Sequence, residues 1–186
     1  EAAELVKYVT EPGEEAAQLR SFLFFHFLGG SVAAAAVNMT QTVMMTVPYL
    51  SQHGKIGAVT KAILSAAKIA VQDPAGLSGP LGDALRKAEA DGVTAPQQIY
   101  HLTATAANNP FSSNRKFRAF MTVWGGMFGA VEVFNRRVAF AAAYDLAGQN
   151  GIHGAAAQAF ATKAVTETQG IYSKLNRMNM GRGALG

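Results

Sequence analysis

Four histidines, His26, His53, His101 and His153, are the side chains of this 186-residue chain best suited to holding a metal or moving a proton near neutral pH. Their spacing argues against both roles. No two of them stand in an HxxxH or HExxH register, which is what would set two imidazoles on one face of a helix. Cysteine is absent, which excludes thiolate zinc sites, iron–sulfur clusters, disulfides and cysteine nucleophiles. Glu132 and Glu167 are the carboxylates to weigh as an acid–base pair, but nothing near Glu132 in sequence supplies a second acid or a nucleophile. Glu132 stands four residues before Arg136, the spacing of an intrahelical ion pair, and a structural role is the simpler reading. Gly29-Gly30 and Gly125-Gly126 lie inside helical patterns, and neither GxxxxGK[ST] nor GxSxG occurs. No catalytic residue, metal, cofactor or small-molecule substrate is therefore expected.

The basic residues offer a different chemistry. Net charge is +4 and unevenly placed: residues 1–112 carry 7 Lys/Arg against 9 Asp/Glu, while residues 113–186 carry 9 against 3. Arg115, Lys116, Arg118, Arg137 and Arg177 are candidate contacts to phosphate, of the kind that position a protein on nucleic acid without reading its sequence. A solvated basic helix face is the alternative reading. Arg115, Lys116 and Arg118 also stand at a helix start, where positive charge opposes the macrodipole and a negative partner would relieve the misfit.

Between Ser21 and Gly54 no residue is formally charged. Its apolar part, Phe22–Val37, would span roughly 24 Å as a helix, short of the ~30 Å hydrocarbon core of a bilayer. Extending it brings in Asn38, Thr40, Gln41 and Thr42, whose polar groups lipid cannot satisfy. A buried helical hairpin in a large assembly, an interfacial or conditionally inserted segment, and a true span all remain open. Phe22, Phe24, Phe25, Phe27 and Leu28 are the candidate membrane contacts.

The elements that must position these residues are helices. Hydrophobic residues make up 49% of the chain and charged residues only 15%, alanines number 35, and mean hydropathy is +0.12. An all-α fold of six to eight helices without a sheet is expected, a bundle or an extended array with one long helix. The breakers predict helices over Ala2–Val9, Glu14–Leu28 and Ser31–Thr46, the last closed by Pro48. An amphipathic helix follows over Lys55–Val71, with Ile56, Val59, Ile63, Ala66, Ala67 and Ala70 on its inner face. Asp73–Gly82 reads as a loop, Asp83–Ala90 and Pro96–Ala107 as short helices, and Gly154–Thr168 as the last.

The main element runs from Arg115 to about Ala147. Its apolar residues form two heptad rows, Phe117, Trp124, Val131 and Val138 beside Phe120, Met127, Phe134 and Ala141, and this face is expected to be a packing interface. A 33-residue helix is roughly 50 Å long, so a bend, a break at Gly125-Gly126 or a projection is expected. GQNG, Gly148–Gly151, carries the chemistry of a helix C-cap. The whole chain reads as a single helical segment of a longer polypeptide, with apolar helices in 1–72, loops and short helices in 73–113, and the long helix with a basic C-terminal part in 114–186.

Three stretches taken together resemble a known family. They are SVAAAAVNMTQTVMMTVPYLSQHG, Ser31–Gly54, with Asn38 and Gln41; FRAFMTVWGGMFGAVEVFNRRVAFAAAYDLA, Phe117–Ala147, with Glu132 and Asn135-Arg136; and ETQGIYSKLNRMNMGRGALG, Glu167–Gly186, with Asn176-Arg177. Their order and spacing are similar to the C-terminal helical region of large polyvalent phage proteins of the PLxRFG type, internal virion proteins of podoviruses and prophages. The resemblance departs from the family at Met178, where proline is expected. It implies a polypeptide stored in the virion interior and moved to the host cell envelope with the genome. The partners it implies are other internal virion proteins and copies of itself, with non-specific DNA and the host membrane as further candidates. It transfers no catalytic residue. A structural part in genome ejection, forming or lining a DNA conduit, is the function implied; the alternative is the non-catalytic tail of an encapsidated enzyme such as a virion RNA polymerase.

Overall fold

The computed structural model describes Thr40, residues 42–95 and residues 115–169; between 115 and 128 it describes the helix backbone, with side chains only at Val123 and Met127. The fold is all-α, with no strand among the described residues. A single π-helical turn, Thr42–Thr46, leads into α1 (Val47–Ser51); α2 (Ile56–Ala70), a 3₁₀ turn (Pro74–Gly76), α3 (Gly79–Ala90), α4 (Arg115–Gln149) and α5 (Gly154–Gln169) follow. The expected helices before residue 40 and over Pro96–Ala107 lie outside the described residues.

Two prolines act differently from the sequence expectation. Pro48 opens α1 and Pro80 opens α3, each in the first helical turn. At Pro80 the missing N–H has no intrahelical acceptor to lose and the fixed φ already suits a helix, so proline starts α3, whereas Pro48 lies just past the π-helical turn and the helical run continues through it. The expected loop Asp73–Gly82 is correspondingly shorter: Asp73 caps the 3₁₀ turn by accepting the Ala75 N–H at 3.0 Å, and α3 begins at Gly79, whose φ of +82° suits glycine. Arg86 holds this connection by donating to the Pro74 and Leu77 carbonyls at 2.8 and 2.7 Å while pairing with Asp83.

Helix α4 continues without a break through Gly125-Gly126. Six consecutive residues, Val138–Ala143, are each no more than 2% exposed, so this stretch is enclosed on every side instead of presenting one heptad face. The physical reason is composition: alanine at four of the six positions lets neighbouring helices approach from all directions. Val59, Ala62 and Ala66 of α2, Leu85 and Ala88 of α3, and Ala161, Ala164 and Val165 of α5 complete the same core. At its end α4 stops as GQNG predicts. Gly151 adopts φ +76°, its N–H reaches the Gly148 carbonyl at 3.0 Å and the Ile152 N–H reaches Ala147 at 2.9 Å, a Schellman motif.

The chain divides into two compact units, one of residues 33–96 and 129–170, the other of residues 1–32, 97–128 and 171–186. This division crosses the linear partition 1–72, 73–113 and 114–186, because α4 contributes to both units. The core described above belongs to the first.

Candidate functional site

Charge inside the first unit is concentrated at two adjacent arginines of α4. Arg136 is 2% exposed, and its Nε lies 3.2 Å from Glu132 Oε1, the i,i+4 pair read from the sequence. Its Nη1 donates to the Val93 carbonyl at 3.3 Å. Val93 is held there by the turn that ends α3: Gly92, at φ +73°, donates to the Glu89 carbonyl at 3.0 Å and the Val93 N–H to Ala88 at 2.8 Å. A second Schellman motif thus aims a backbone oxygen at a buried cation.

Arg137 corrects an expectation. Read from the sequence as a phosphate contact, it uses Nη1 on the Ala70 and Gln72 carbonyls at 3.4 and 3.3 Å, at the C-terminus of α2, and Nη2 on Glu89 of α3. The guanidinium sits where the α2 macrodipole is negative and faces a carboxylate, so its charge is compensated within the fold. No sequence spacing announces this, because the partners are 48 to 67 residues away.

The other expected site residues distribute as follows. Val138 is buried, while Met127, Val131 and Phe134 are half-buried, Phe134 packing against the core. Phe117, Phe120 and Trp124 lie on α4, as do Arg115, Lys116 and Arg118, but their side chains lie outside the described residues. Arg177 and the aromatic group Phe22, Phe24, Phe25, Phe27 and Leu28 lie outside them altogether. Among the described residues there is no group of three metal-ligating side chains, and no helix long and apolar enough to cross a membrane. Glu132 and Glu167 have different neighbours: Glu132 has Arg136, and Glu167 lies near Tyr49. Burial pushes the Tyr49 phenol above its usual range, and the Glu167 charge pushes it the same way. Tyr49 also stacks at a tilt on His53, which meets Phe160 edge-on at 5.0 Å.

Sequence reading missed the outward side of the unit. Ile56, assigned to the inner face of α2, is 60% exposed, and Leu64 and Val71 are 62% and 74% exposed. At 100° per residue these three, with Thr60, fall within about 80° of arc, adjoining the buried arc of Val59, Ala62, Ile63, Ala66 and Ala70. Lys61 and Lys68 flank them, and with Ile56 and Leu64 they line a shallow, mostly apolar groove at Gly57. A second apolar patch is the run Val43, Met44 and Met45 on the π-helical turn. Its flanking threonines, Thr42 and Thr46, turn inward, and Thr46 receives a hydrogen bond from the Gln169 side chain at 3.4 Å.

No family model matches the chain, and no curated protein or solved structure matches it.

Proposed function

We propose that this chain is a structural segment of an internal phage virion protein, packing with copies of itself and with neighbouring virion proteins to form or line a DNA conduit across the host envelope. The observation that carries this reading is the exposed run Val43-Met44-Met45, inside a charge-free window of 34 residues whose part Ser31–Gly54 the family resemblance also covers. Three adjacent apolar side chains held outward on an irregular turn form a patch suited to protein contact, and methionine adapts to varied partner shapes. The +6 balance of residues 113–186 supplies the non-specific attraction to phosphate that a conduit requires. With Arg136 and Arg137 engaged inside the fold, Arg115, Lys116, Arg118 and Arg177 are the cations put forward for that contact.

Two measurements on the purified chain test the reading. Sedimentation analysis is expected to show self-association that Met44→Gln with Met45→Gln weakens. A salt titration with duplex DNA is expected to show weak binding whose affinity falls steeply as salt rises. A chain that stays monomeric and ignores DNA at low salt refutes the proposal.

A further inference from the structure

We infer that the outward face of α2 is a docking surface for an anionic lipid bilayer. The inference deepens the envelope-crossing reading and takes its biological setting from it. Its physical basis is the composition of a single helix face. Ile56, Leu64 and Val71 are each at least 60% exposed although the adjoining arc of α2 is packed in the core. Thr60, between them, spends its one donor within the helix, its hydroxyl donating to the Ile56 carbonyl at 2.9 Å.

Charge decides which occupant suits this face. From Lys55 to Gln72 the chain carries Lys55, Lys61 and Lys68 and no acidic residue. Lys61 and Lys68 follow the apolar stripe along one flank, about 60° round the helix from Leu64 or less. Long lysine stems lie along apolar surface and deliver their ammonium groups beyond it. An interface with apolar chains below and negative headgroups at its rim satisfies both features together: side chains enter the acyl boundary while the lysines meet phosphate. Duplex DNA would satisfy the lysines and leave Ile56, Leu64 and Val71 in water. The groove at Gly57, where nothing lies within 4 Å of the position a Cβ would take, leaves room for a chain beside Leu64.

The test is flotation of the full chain with phosphatidylcholine vesicles, with and without phosphatidylglycerol, using two paired variants. Lys61→Gln with Lys68→Gln should weaken binding to the anionic vesicles about 30-fold and abolish their advantage over neutral ones. Leu64→Gln with Val71→Gln should weaken binding to both. All four positions are exposed, so far-UV circular dichroism should be unchanged. Failure of the unaltered chain to float with anionic vesicles overturns the inference, and so does flotation that both variants retain. If the lysine pair lowers duplex DNA affinity while leaving flotation intact, the face serves nucleic acid and the lipid assignment falls. Self-association of the same preparations separates the two proposals. Assembly without flotation removes the lipid face alone, whereas flotation without assembly or DNA binding removes the conduit reading alone.

Discussion

Replacing Arg137 by methionine isolates what its guanidinium contributes, because methionine keeps an unbranched apolar stem of comparable reach. Two donations from Nη1 to the end of α2 disappear, together with the ion pair to Glu89. At 3.4 and 3.3 Å both donations are longer than ordinary N–H···O bonds, so each falls at the lower end for a charged donor, about 1.5 kcal/mol. Glu89 is 37% exposed, and solvent screening limits the ion pair to about 0.5 kcal/mol. Arg137 Nε is buried with no partner, and its removal offsets about 1 kcal/mol of the loss. The expected net destabilisation is about 2.5 kcal/mol, against about 0.5 kcal/mol for Glu89→Gln. Urea unfolding followed by far-UV circular dichroism should show a lower midpoint with an unchanged slope for Arg137→Met. A double-mutant cycle should give a coupling no larger than the Glu89→Gln effect. If Glu89→Gln destabilises as much as Arg137→Met and the double variant is no worse than either, the ion pair carries the whole effect. The account of Arg137 as a cap on α2 would then be wrong.

Two further outcomes are expected. A Cβ at Gly82 would lie 2.3 Å from the Leu77 carbonyl oxygen, so Gly82→Ala should lower thermal stability by about 1–2 kcal/mol even after the gain in helix propensity. Gly126→Ala, with open space at that position, should raise it by about 0.5–1 kcal/mol; equal effects at the two sites would contradict the packing of α3. Tyr49 has its pKa raised above 10.0 in the folded state, by burial first and Glu167 second. The folded chain therefore holds this proton more tightly than the unfolded chain, and the corresponding stability is present below pH 10.0 and lost as pH rises through the folded value. Unfolding temperature should fall less steeply above that pH in Tyr49→Phe than in the unaltered chain, and parallel curves for the two would refute the assignment.

What the sequence made legible follows from periodicity. The expected Lys55–Val71 and Gly154–Thr168 match α2 and α5 to within a residue at each end, because each has an apolar pattern bounded by breakers. Pro48 and the expected loop Asp73–Gly82 differ from the structure because a proline marks a helix boundary without saying on which side the helix lies. The heptad rows of α4 undercounted its buried surface, since alanine carries too little hydropathy to reveal that Ala139, Ala142 and Ala143 are enclosed. Glu132 and Arg136 were visible as a local pair, but the carbonyls of Ala70, Gln72 and Val93 that hold Arg136 and Arg137 come from distant turns. For the same reason the outward face of α2 was obscured. Ile56 lies about 60° round the helix from Val59, at the edge of the buried arc, and tertiary packing alone decides that it is exposed while Val59 is enclosed.

A backbone amide trades its hydrogen for deuterium only when an opening admits water to it. Around Val138–Ala143 such an opening requires α2, α3 and α5 to part from α4, so these amides exchange through collapse of the whole unit at once. Pulled by one end through a narrow passage, the unit would meet a single mechanical barrier instead of a series of small ones, with the stretch around Phe140 among the last to yield.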